Sequence, residues 1–82
     1  MNIPKILSVS PQSNHVLLIT FSDGTRKKYD VYRLLKYDMF SSLSNQAFFY
    51  NVQIEQGGYA VSWNSEIDIS EYELCKNGEE FV

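Results

Sequence analysis

The chain is 82 residues long, room for one compact domain that buries only about 60–65% of the surface its unfolded form exposes. Hydrophobic residues make up 44% and aromatic residues 15%, enough large side chains to build a core without metal or disulfide staples, which excludes a disordered chain. A net charge of −3 excludes a strongly basic nucleic-acid footprint, the single cysteine excludes an intramolecular disulfide, and apolar runs no longer than Val16 to Ile19 exclude a membrane-spanning helix.

Residues 3 to 9 alternate, with Ile3, Lys5, Leu7 and Val9 on one side, and Pro11, Ser13 and Asn14 close the stretch, so a strand is expected there. "HVLLITF", His15 to Phe21, is β-branched and aromatic and runs into "SDGT", where Asp23-Gly24 marks a hairpin. A two-residue turn would set Phe21 opposite Arg26. A three-residue loop with Gly24 in the left-handed position sets Phe21 opposite Thr25 and Leu17 opposite Tyr29, gathering Leu17, Ile19, Phe21 and Tyr29 on one face. The second arrangement is preferred, because register follows the buried face.

Asp30 is placed to cap a short helix carrying Val31, Leu34 and Leu35, and Phe40, Leu43, Phe48 and Phe49 suggest another short helical piece starting near Asn45. Gly57-Gly58 reads as a two-residue turn with positive φ, which sets Ile54 opposite Val61, Val52 opposite Trp63, Gln53 opposite Ser62 and Glu55 opposite Ala60. One apolar and one mostly polar face result, so the glycines and the only tryptophan are explained by folding without a ligand. After a turn at Asn64-Ser65, Ile67 and Ile69 flank Asp68. Ser70 then opens a last helix, with Glu73 completing a capping box and Ile69 and Leu74 at the staple positions, and Asn77-Gly78 ends it. The expected fold class is α+β, a small antiparallel sheet built from two hairpins, about five to six short strands, covered by two to three short helices, in a single domain over residues 1–82.

Few residues here suit catalysis. With one histidine (His15) and one cysteine (Cys75), no metal site of the usual His/Cys kind assembles within one chain, and no cofactor is expected. Cys75 falls beside Leu74 in the last helix, where a small buried thiol is the default, and His15 reads as a surface residue. Glu71 and Glu73 complement a helix start. Asp68 points away from its isoleucine neighbours, toward the N–H groups of the Asn64-Ser65 turn. Gly57-Gly58 lacks the lysine-serine pair and the helix of a phosphate-binding loop.

Charge is unevenly spread. Residues 1–36 carry six basic side chains against Asp23 and Asp30, net +4, and residues 37–82 carry only Lys76 against eight acids, net −7. Such asymmetry suits a charged partner, although folding can interleave the halves.

The run "VLLITFSDGTRKKYDVYRLL" (16–35) followed by "AFFYNVQIEQGGYAVSWNSEIDISEYEL" (47–74) resembles the small bacterial domain-of-unknown-function family numbered 2442. The resemblance covers nearly the whole chain and rests on order: the aromatic-Ser-Asp-Gly hairpin at Phe21 to Gly24, Asp30, Leu34-Leu35, Phe48, Gly57-Gly58, Trp63, Asp68 and Leu74. The chain departs from the pattern at Lys28 and at Asn64-Ser65. The resemblance implies a small α+β domain, no established catalytic activity, and a setting in two-protein regulatory pairs of the toxin–antitoxin type.

The leading expectation is a non-enzymatic, cytoplasmic protein-interaction module, the antitoxin-like or regulatory member of such a pair, with a small basic, toxin-like protein as partner and an open strand edge that supports homodimers. The alternative is a DNA-linked regulatory domain that meets phosphate through the basic hairpin, and a third reading is an enzyme using Asp68 or the Cys75 thiol. Recognition is expected at Arg26, Lys28 and Arg33 on the basic side and at Glu66 and Asp68 on the acidic side, with no membrane contact.

Overall fold

The computed structural model describes residues 3–81. In chain order it contains β1 (Ile6–Pro11), β2 (Val16–Phe21), β3 (Arg26–Asp30), α1 (Gln46–Phe49), β4 (Gln53–Ile54), β5 (Ala60–Asn64), β6 (Ile67–Ser70), α2 (Glu71–Asn77) and β7 (Glu79–Glu80), with 3-10 turns between them. The class is α+β. Each expected hairpin is the centre of an antiparallel three-stranded meander, and the meanders form separate sheets, ordered β1-β2-β3-β7 and β4-β5-β6. The segment 31–52 runs between them as 3-10 and α-helical turns, so β3 and β4 never pair.

The β2–β3 hairpin takes the three-residue loop. Phe21 N–H donates to Thr25 O at 2.8 Å and Gly24 N–H to Phe21 O at 3.0 Å, with Gly24 at φ +87°. Asp23 Oδ1 accepts the Thr25 N–H at 2.9 Å, and that bond holds the Asp23 carboxyl below its ordinary range. Leu17 pairs with Tyr29, and Leu17, Ile19, Phe21 and Tyr29 are all buried. β1 departs from the expected alternation. A bulge between Ile6 and Ser8 shifts its register, so Ile6 enters the core and Leu7 stays 63% exposed.

In the second sheet Gln53 pairs with Ser62 and Ile54 with Val61, and both glycines have positive φ, +83° and +76°. The expected register holds, but the turn is wider than two residues. Gly58 N–H donates to Glu55 O at 2.9 Å and Glu55 N–H to Ala60 O at 2.8 Å, enclosing a 3-10 turn over Gln56–Gly58. Gly58 also lies against β1: a Cβ there would stand 2.7 Å from Ile6 O and 2.9 Å from Ile6 N. Trp63 sits at a bulge against β6, 8% exposed; its Nε1–H donates to Phe49 O at 2.8 Å and its ring stacks on Phe49 at 6.1 Å. The indole therefore ties β5 to α1.

The expected helix after Asp30 is a single 3-10 turn, Tyr32–Leu34, followed by a 3-10 run over Asp38–Ser44. Asp30 Oδ1 accepts the Tyr32 N–H at 3.0 Å, and Asn45 Oδ1 accepts the Phe48 N–H at 3.0 Å to start α1. These short pieces send Val31, Leu43 and Phe49 into the core. Ser70 caps α2 through Oγ, which accepts the Glu73 N–H at 3.1 Å. The capping box stays half closed, because the Glu73 carboxylate is bonded elsewhere while Ser70 itself still pairs with Ala60. Buried side chains from both sheets, the 3-10 segments and both helices form one hydrophobic cluster, with Cys75 packed against it.

Candidate interaction surfaces

Strand alternation that buries Leu17, Ile19 and Tyr29 turns Val16, Leu18, Lys28 and Asp30 to the opposite face of the four-stranded sheet. Ser10, Leu18, Lys28 and Glu79 form one cross-strand row on that face. With Gln12, Ser13 and Asn14 at one end and Tyr32 at the side, these strands enclose an open groove of about 640 Å³. Tyr32 is 65% exposed. Its neighbour His15 has φ +64°, and the imidazole packs 5.0 Å from the Phe49 ring with Nε2 buried and unbonded among the described residues. His15 was expected at the surface; instead the turn tucks its ring under Tyr32.

A second, smaller notch of about 320 Å³ lies where β3 meets α2, lined by Tyr29, Arg33, Leu34, Lys36, Tyr37, Glu73 and Asn77. The Arg33 guanidinium stands 5.1 Å from the Tyr29 ring centroid. Tyr29 Oη–H donates to Glu73 Oε2 at 2.7 Å and Asn77 Nδ2–H to Glu73 Oε1 at 2.9 Å. Burial first, and then the bond to Glu73, push the Tyr29 phenol up to about 12. Both oxygens of Glu73 are engaged, so this carboxylate moors α2 to β3.

The expected recognition residues do not form one patch. Lys28 lines the first groove and Arg33 the second. Arg26 lies over the Phe81 ring, 4.7 Å from its centroid. Lys28 pairs across strands with Glu79 and Lys27 with Glu80, and Lys5 Nζ bridges Glu71 Oε1 at 3.3 Å. The two charged halves of the sequence thus interleave. Sequence reading missed β7, because two residues carry no period-2 signal; the one clue was the Glu79-Glu80 sign opposite to Lys27-Lys28.

Glu66 and Asp68 are exposed on the β5–β6 hairpin. Asp68 does not serve its turn: Asn64 Oδ1 takes the N–H groups of Glu66 (2.8 Å) and Ile67 (2.9 Å). Asp68 pairs with Ser62, whose hydroxyl donates to the Glu55 carboxylate, so Glu55 and Asp68 share a sheet face. No lysine or arginine occurs between residues 53 and 70. Trp63 lines neither groove. Among the described residues no helix is long and apolar enough to cross a membrane.

The family model described as "Protein of unknown function (DUF2442)" matches residues 6–80. No curated protein and no solved structure matches the chain.

Proposed function

The chain belongs to the DUF2442 family of proteins of unknown function, and from that premise we propose that it is a non-enzymatic protein-interaction module, the antitoxin-like or regulatory member of a two-protein pair with a basic partner. One observation carries the reading. Lysines 5, 27 and 28 face Glu71, Glu80 and Glu79, whereas Asp68 lies in, and Glu55 and Glu66 border, a sheet whose strands contain no basic residue. Uncompensated charge of one sign at an exposed hairpin steers a partner of the other sign and speeds its encounter.

Catalysis draws no support from the same geometry. Asp68 lines neither groove, Cys75 packs against the core, both oxygens of Glu73 accept bonds, and the Ser62–Glu55 hydroxyl–carboxylate contact lines neither groove. Contact with DNA through the basic hairpin is less well supported, since Lys27 and Lys28 share their strand register with Glu80 and Glu79 and neighbouring negative charge weakens a phosphate footprint.

Copurification from the native host tests the proposal. A small basic protein should be retained, and Glu66→Lys with Asp68→Lys should weaken its binding by about tenfold or more, the scale of a lost complementary charge pair. A chain recovered with nothing bound, or a partner indifferent to both reversals, would sink the reading.

A further inference from the structure

β3 has β2 on one side and only β7 on the other. That outer edge is a slot three residues long, in which Lys28 faces Glu79, Lys27 faces Glu80 and Phe81 N–H donates to Arg26 O at 3.1 Å. The side chains sort by chemistry along it, with acids opposite lysines and the Phe81 ring under the Arg26 guanidinium. Glu79 and Glu80 are both exposed, and only Gly78 connects β7 to α2. A two-residue edge strand with exposed side chains belongs to the least stable part of a fold and opens locally before the core does.

We propose that this edge of β3 is a strand-docking site for an extended acid-acid-aromatic segment of a partner protein, and that residues 79–81 occupy it in the free chain as a built-in competitor. Backbone groups of Arg26 to Lys28 supply the ladder bonds, the two lysines select acidic residues, and Arg26 selects the aromatic ring, the usual division of labour when a peptide adds to a sheet edge. The site rests on the interaction-module reading but is separate from the Glu66–Asp68 hairpin.

The test uses the full chain and two synthetic peptides, Asn-Gly-Glu-Glu-Phe, which copies residues 77–81, and its reversal Asn-Gly-Lys-Lys-Phe. Glu79→Lys with Glu80→Lys removes the competitor's charge match, so the acidic peptide should bind that variant about tenfold or more tightly than the unmodified chain, where the tethered segment competes at an effective concentration in the millimolar range. Lys27→Glu with Lys28→Glu should reverse the preference to the basic peptide. Binding of neither peptide, or of both without regard to charge, overturns the proposal. Hydrogen exchange on the unmodified chain gives a second check that needs no variant: amides of 79–81 should exchange about a hundredfold or more faster than those of β2. Equal protection means that the segment does not open, and the site falls. Because Glu66 and Asp68 are untouched, loss of peptide selectivity with partner capture intact rejects the slot alone, and the converse rejects the hairpin alone.

Discussion

At the scale of single residues, the Tyr29 hydroxyl is the polar contact with the clearest consequence. It sits on an otherwise buried ring and donates to Glu73, so removing it leaves a carboxylate oxygen short of a partner. Tyr29→Phe should cost about 1.5–3 kcal/mol at neutral pH, a typical figure for a bond to a charged group, measured by urea denaturation. Its pH dependence follows from the raised phenol, ordinarily near 10 and here about 12. The folded state holds the proton more tightly than the unfolded state, so this stabilisation is complete below pH 10 and is lost as pH rises toward 12. The unmodified chain should lose stability across that interval more steeply than Tyr29→Phe, and equal slopes would remove the linkage. Asp68 and Trp63 illustrate what a sequence reveals about single side chains. The size of the indole foretold burial. That Asn64 rather than Asp68 would serve the turn depended on which oxygen reached two N–H groups, a distance no pattern encodes.

At the scale of elements, two glycines with the same backbone sign separate two costs. Gly24 has φ +87° and open space around its missing Cβ, whereas Gly58 has φ +76° and the Ile6 backbone within 2.7–2.9 Å of it. Gly24→Ala should therefore cost only the left-handed backbone penalty, about 1–2 kcal/mol. Gly58→Ala adds a clash between two sheets. Thermal melts should rank the pair in that order, with Gly24→Ala lowering Tm by roughly 4–16 °C at the shift per kcal/mol typical of 60–100-residue domains and Gly58→Ala lowering it further; similar Tm values would mean that β1 gives way cheaply. The β2–β3 register was legible because only one loop length collects Leu17, Ile19, Phe21 and Tyr29 together. The bulge at Leu7 was hidden, since the spacing of Ile3, Lys5, Leu7 and Val9 reads equally well as an unbroken strand. The short helix expected after Asp30 is a 3-10 turn, its Leu34 and Leu35 N–H groups donating three residues back to Val31 O and Tyr32 O.

At the scale of the molecule, one core serves both sheets: Tyr29 belongs to the first, Trp63 to the second, and both enter the same buried cluster. Unfolding should be cooperative, so Trp63 fluorescence and far-ultraviolet circular dichroism should trace one transition with a common midpoint. Two separated midpoints would mean that the meanders fold independently. The arrangement of charge is the other property visible only here. A linear reading suggests a particle with opposite poles, but laying Glu79-Glu80 beside Lys27-Lys28 folds much of that dipole back on itself. What an approaching molecule senses beyond a Debye length of about 8 Å at physiological salt is then a mild negative monopole, with Glu66 and Asp68 among the acids exposed on its surface. The capture proposed at Glu66 and Asp68 should accordingly weaken as electrolyte is added.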